Sequence, residues 1–215
     1  SLAPTTIAGA VPMTRRLMKQ SAPSVEAMVM ADLARGAALA IDLAALEGSG
    51  VGAIPLGVVN QTGVLTSSVT GYGVGGAAPT WAEIVAFETA LDNADAAADL
   101  SWVMDPTMVG YCKTTPKESG QAIYLMDSDR RSGVSAGLTG MMNGYDVRRR
   151  TGLAAQPSPT MVLGNWADCL IGMWGVLDVA PDPAAKAASG GLVLRVFQDI
   201  DVAVRHPESF CKAAA

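Results

Sequence analysis

Residues 21–50 read SAPSVEAMVMADLARGAALAIDLAALEGSG, and this stretch decides the fold. A helix is expected to start between Ser21 and Ser24. Pro23 suits a first-turn position, where its missing N–H costs nothing, and Glu26 suits the positive end of the helix dipole. The run continues to about Glu47, where Gly48-Ser49-Gly50 stops it. About 24 residues at a rise of 1.5 Å make a rod of about 36 Å, long for a compact domain. Asp32, Arg35 and Asp42 interrupt its apolar core. Burying those charges in lipid would cost a few kcal/mol each, so the segment reads as a protein-buried helix rather than a membrane span. Its Ala-rich faces allow close packing on neighbours.

Working outward, residues 1–20 read as extended, with Pro4 and Pro12 as helix breakers and a basic segment from Thr14 to Lys19. Residues 48–79 are rich in Gly, Ser and Thr, which predicts loops and one or two short strands around Pro55-Leu56-Gly57-Val58-Val59. Thr80-Trp81-Ala82-Glu83 is a capping box opening a second helix, with Ile84, Phe87 and Leu91 on its apolar stripe. Leu100 to Met104 reads as a strand. Asp105-Pro106 then opens a third helix, the Asp as N-cap and the Pro in the first turn.

Residues 116–137 read as a surface excursion. Strand candidates follow at Met141 to Val147, Thr160 to Leu163 and Leu170 to Trp174, with Val176 to Val179 continuing the sheet. A Pro/Ala/Gly-rich linker covers 180–191. The last element, Leu192 to Arg205, alternates from Val196 onward as a half-buried strand of about 30 Å. His206-Pro207 ends it. The fold class is α+β: a long helix, a central helix-and-sheet unit and a long terminal strand, together giving an elongated molecule.

Half of the 215 residues are apolar, 16% are charged, the net charge is −5 and the pI is about 4.8. That suits a folded chain and excludes a non-specific nucleic-acid binder, which needs a basic face. Cys112, Cys169 and Cys211 are odd in number and widely spaced, so neither a zinc knuckle nor a dithiol motif is formed. They read as buried free thiols of a reducing compartment. No signal peptide is expected, and Ser1 in place of Met reads as a trimmed N-terminus.

Candidate chemistry is thin. Gly71-Tyr72-Gly73-Val74-Gly75-Gly76 satisfies G-x-G-x-x-G, but Ala77-Ala78-Pro79 separate it from the helix it must open onto, so it reads as a loop. His206 is the sole histidine and has no G-x-S-x-G partner. Asp127-Ser128-Asp129 begins like a calcium loop, but its Gly is one position late and Leu138 stands where the closing acid belongs. The expectation is no catalytic, cofactor or metal residues. Arg130, Arg131, Arg148, Arg149 and Arg150 are the candidate contact residues, as a solvated face or, more sharply, as inter-subunit ion pairs with acidic patches on other copies.

Segment order carries a resemblance. Met13-Thr14-Arg15-Arg16-Leu17-Met18-Lys19-Gln20-Ser21-Ala22-Pro23-Ser24-Val25-Glu26, Leu46-Glu47-Gly48-Ser49-Gly50 and Pro55-Leu56-Gly57-Val58-Val59-Asn60 come first. Trp102-Val103-Met104-Asp105-Pro106, the segment Leu138 to Val147, Gly164-Asn165-Trp166-Ala167-Asp168 and Arg205-His206-Pro207-Glu208-Ser209-Phe210 follow. In this order they resemble the major capsid proteins of tailed bacteriophages, the chainmail-type capsid fold.

The resemblance implies a peripheral domain with the spine helix over residues 1–78, an axial domain over 79–180 and a peripheral return with the long strand over 181–215. It implies a non-enzymatic chain that assembles into hexamers and pentamers of an icosahedral head around the DNA genome. The location would be the virion capsid, assembled in the host cytoplasm. Implied partners are further copies of the chain together with scaffold, protease and portal proteins; no cofactor, membrane or sequence-specific nucleic acid is implied. Only about twenty residues precede the spine helix, so the family's N-terminal arm and extended loop are expected to be missing, leaving a core that does not form shells as it stands. No Asn follows Asn165, so no lysine–asparagine cross-link is expected from this stretch. The rival readings are an encapsulin-like bacterial shell on the same fold, a nucleotide-dependent oxidoreductase resting on Gly71 to Gly76, and a phage decoration or tail-tube protein, which the long helix disfavours.

Overall fold

The structure is a computed structural model that describes residues 2–14, 16–17, 24–69, 78–96, 99–118, 120, 122–127, 138–150 and 161–214. In chain order its elements are β1 (Thr5–Met13), α1 (Ser24–Glu47), β2 (Leu65–Ser68), α2 (Trp81–Asp92), β3 (Leu100–Met104), α3 (Pro106–Thr114) and β4 (Met126–Asp127). Then come β5 (Leu138–Met142), β6 (Tyr145–Arg149), β7 (Met161–Asn165), β8 (Cys169–Asp182), β9 (Leu192–Val204) and β10 (Phe210–Ala214). The chain forms two compact units, Ser1–Leu56 with Ile171–Ala203, and Gly57–Leu170 with Val204–Ala215.

The first unit is a three-stranded sheet, ordered β1-β9-β8, with α1 packed on β1. β1 and β9 run antiparallel, from Thr5 opposite Ile200 to Met13 opposite Leu192. The alternation read in the sequence is the burial pattern of β9: Val196, Gln198, Ile200 and Val202 are buried, and the residues between them are half-buried. Gln198 is the polar exception. Its Nε2 donates to Trp174 O at 3.2 Å, beside Gly175, whose φ of 74° puts an irregularity into β8. The buried amide satisfies a carbonyl that the irregularity turns inward. The two runs read as separate strands, Leu170 to Trp174 and Val176 to Val179, are therefore one 14-residue strand that also takes in the start of the expected linker. Only Ala45 and Leu46 of α1 are buried among its described side chains. Val29, Leu33, Ala37 and Ala40 face Ile7, Gly9, Val11 and Val196 across an open groove of about 420 Å³.

The second unit is a seven-stranded mixed sheet, ordered β2-β10-β7-β3-β6-β5-β4. β10 runs parallel to β2 and β3 parallel to β6, and the other neighbours are antiparallel. One face carries the main core, where Ile84, Phe87 and Leu91 of α2 and Met108, Val109 and Cys112 of α3 meet Trp102, Met104, Val147, Met161 and Leu163. Phe87 and Trp102 pack edge to face at 5.2 Å. A smaller cluster of Val58, Val59, Val162 and Phe210 forms around the apolar run after Pro55.

Both predicted helix caps are present. Thr80 Oγ1 accepts from Glu83 N, and Glu83 Oε2 accepts from Thr80 N at 2.7 Å. Asp105 Oδ2 accepts from Thr107 N at 2.8 Å with Pro106 in the first turn. The single strand expected over Met141 to Val147 is instead a hairpin. Asn143 (φ 52°) and Gly144 (φ 83°) both lie in the left-handed region, the two-residue turn that Asn-Gly favours. β10 was not foreseen at all.

β7 is buried on both sides, and Gly164 is the residue that allows it. A Cβ there would run into the Phe210 ring and lie 2.9 Å from Ser209 O. Gly164→Ala is expected to cost about 2 kcal/mol through overpacking; urea unfolding should show a lower midpoint at unchanged slope.

Candidate assembly surface

Of the five arginines singled out in the sequence, Arg130 and Arg131 lie outside the described residues. Arg148 and Arg149 are exposed on β6, and Arg150 is half-buried just beyond it. Their place follows from register. Val147 pairs with Trp102 and points into the core, so Arg148, opposite Val103, points to the other face, while Arg149, opposite Met104, is exposed as the last residue of the strand. Arg150 N donates to Met104 O at 2.8 Å and prolongs the pairing by one residue. β6 thus displays two exposed cations at its end, on opposite faces of a strand paired with β3 and β5.

That strand is tied down by a group the sequence did not reveal. The Glu88 carboxylate, on α2, accepts from Tyr145 Oη at 2.7 Å and from Asn143 Nδ2. One carboxylate therefore gathers the turn and the first residue of β6. The hydrogen bond to Glu88, aided by burial, pushes the Tyr145 phenol up to about 12. On the same side, Lys117 Nζ sits 3.8 Å above the Trp81 ring at the start of α2.

Gly71 to Gly76 lie outside the described residues, as do Ser128 and Asp129 of the calcium-like loop. His206 is exposed and precedes the short turn Pro207–Ser209. Cys112 and Cys211 are fully buried free thiols pushed up to about 12 by burial, and burial also raises Cys169. Such thiols are poor nucleophiles. No group of three or more His, Cys, Asp or Glu suited to a metal ion occurs among the described residues. No described helix is long and apolar enough to cross a membrane.

What the molecule does expose is apolar. In the first unit Met28, Met30, Leu39 and Leu43 stand out from α1, Val51 and Ile54 from the loop after it, and Ile171, Met173, Trp174 and Val176 from β8. Large apolar side chains in water, together with exposed cations, are suited to contact with other surfaces.

Residues 1–214 match the family model described as the phage capsid family, and the chain belongs to that family. It is 36% identical over 212 residues to the major capsid protein of Halomonas phage phiHAP-1, covering 97% of this chain and 32% of that protein. The chain thus spans about a third of the length of that curated relative. Among solved structures it is similar to the capsid of an empty GTA particle, with a TM-score of 0.75 and 18% identity over 100% of this chain and 73% of that one. Similarity to a Gordonia phage Cozz structure has a TM-score of 0.70 at 11% identity, over 99% and 70% of the two chains. These likenesses show that the fold is the phage capsid fold.

Glu88→Gln is expected to bring the Tyr145 phenol back toward its ordinary value of about 10, read as the difference in ultraviolet pH titration against Tyr145→Phe. Because the folded pKa is the raised one, the contribution of Tyr145 to stability is present below pH 10 and is lost as pH rises through about 12.

Proposed function

We propose that this chain is the core of a phage major capsid protein, a shell subunit that assembles through many weak contacts into hexamers and pentamers of an icosahedral head around DNA. The observation that carries this is the family match along residues 1–214, joined to a relative of 36% identity whose name is major capsid protein. An exposed apolar surface on a chain with few chemical groups supports it. In the proposal, residues 1–78 and 181–215 build the peripheral domain and 79–180 the axial domain. Most of the axial stretch falls in the second compact unit, and both α1 and β9 fall almost wholly in the first. The role is structural, in the virion capsid after assembly in the host cytoplasm. Scaffold, protease and portal proteins are proposed as accessory partners.

Arg148 and Arg149, with Arg130, Arg131 and Arg150, are proposed to pair with acidic groups of neighbouring copies. With 20 Asp and Glu against 15 Lys and Arg, cations are the scarcer partner, and the clamp on Asn143 and Tyr145 holds the hairpin backbone that carries two of them. Ordering the backbone before contact lowers the entropy lost on contact.

Electron microscopy of the purified full-length protein should show closed shells or capsomer rings; featureless monomers at all concentrations would refute the shell role. In the same preparation Arg148→Glu/Arg149→Glu should lower assembly by about tenfold or more without altering the circular dichroism spectrum. Raised salt should weaken the parent protein in the same direction.

A further inference from the structure

We propose that β8 is a docking edge for a second copy of this chain, the two β8 strands pairing antiparallel across a two-fold axis. The proposal rests on the shell reading and deepens it by naming the strand that makes one of the contacts.

β8 is an outer strand of the sheet β1-β9-β8, so among the described residues it has β9 on one side and no strand on the other. Such an edge offers a row of backbone donors and acceptors to any passing strand. Proteins that stay single protect edges with lysine, proline or inward charge. From Cys169 through Leu177 β8 has none of these, and Asp178 is its first charge. Its one protective device is the irregularity at Gly175.

The side chains point the same way. Ile171 is 44% exposed, Met173 58%, Trp174 38% and Val176 90%. Successive strand residues point to opposite faces, so Met173 and Trp174 leave both faces of the edge apolar. A strand apolar on one face is a lid on a core; a strand apolar on both faces is built to be enclosed.

A second copy is the occupant that fits. Antiparallel self-pairing across a two-fold is isologous, so one surface satisfies its own twin. The uncharged run Cys169–Leu177 meets its twin without repulsion, although each copy carries a net charge of −5. The area agrees. The four side chains present on the order of 400 Å² of apolar surface per copy, about half of the ~800 Å² per partner of a standard stable interface. A contact of that size is too small to hold a dimer alone and suits a lattice in which each copy makes several at once.

The test uses the full-length protein and two sets of variants. Met173→Lys/Val176→Lys places cations on the edge. The expected result is a native circular dichroism spectrum with a rise of tenfold or more in the concentration needed for assembly. Assembly at the parent's concentration would overturn the proposal while leaving the shell reading intact. Ile171→Cys, Gly172→Cys, Met173→Cys and Trp174→Cys, made one at a time and mildly oxidised, decide the matter even if the lysine variant does not fold. At least one position near the axis should give a covalent dimer of this chain, which the parent does not give. No dimer from any of the four, or cross-links only to a different protein, would also overturn it. Dimers in a preparation that forms neither shells nor rings would sustain the β8 contact and count against the shell reading alone.

Discussion

The ring of Phe210 lies against the backbone of Gly164, and the second unit depends on that contact. β7 is buried on both sides: Met161 and Leu163 face the helices, and Val162 belongs to the cluster formed with Val58, Val59 and Phe210. A strand enclosed in this way needs a neighbour on each edge, and β10 supplies one, pairing Phe210 with Gly164 and Cys211 with Leu163. The same strand runs parallel to β2. Lys212 Nζ donates to Val59 O at 2.6 Å and fastens the loop that covers this side. Trp166, edge to face with Phe210 at 5.3 Å, donates from Nε1 to Ser101 O at 2.9 Å and closes the cluster against β3. The last five strand residues of the chain thus complete a core whose helices lie about a hundred residues or more earlier, so the sheet is built from distant pieces.

The two units solve burial differently. The second encloses Trp102, Phe87, Phe210, Ile84 and Leu91 completely, with helices on one face and the Val58–Val59 loop on part of the other. In the first, a three-stranded sheet and one long helix enclose much less. β9 buries one side, while most described side chains of α1 stay partly or fully in contact with water. A helix of 24 residues held by one stripe loses considerable conformational freedom for a modest apolar gain.

Local chemistry was legible in the sequence, and pairing over distance was not. The bounds of α1, the Thr80 capping box, the Asp105-Pro106 start of α3 and the alternation of β9 each depend on residues a few positions apart. β10 went unread because Phe210-Cys211-Lys212-Ala213-Ala214 has no period of its own; it is a strand because β7 and β2 flank it. The hairpin at Asn143-Gly144 was readable, but strand-like residues on both sides invite a single strand unless Asn-Gly is given priority. β8 is the opposite case, where Gly175 looked like a break and the strand absorbed it. The Glu88 clamp joins residues 55 and 57 positions apart, and no spacing within α2 marks Glu88 for that task. The arginines were visible as a cluster, but only register shows why Arg148 faces away from the core that Val147 enters.

Charge explains where contact between copies is cheapest. Each chain carries −5, so like surfaces repel when copies crowd together, and at physiological salt the repulsion reaches about 8 Å. Contact is then favoured where the local charge is positive or absent. β6, with Arg148 and Arg149 exposed, is a place of the first kind, and β8 from Cys169 to Leu177 is one of the second. The two differ in what they offer. Charged pairs orient approaching surfaces and weaken with salt, whereas an uncharged apolar edge has no long-range pull and is almost insensitive to salt once formed. If both proposed contacts form, recognition and adhesion sit on separate elements, the first on a clamped hairpin of one unit and the second on the sheet edge of the other. In the proposed shell, a change at one contact need not alter the other, which would suit a chain placed in both five-fold and six-fold surroundings.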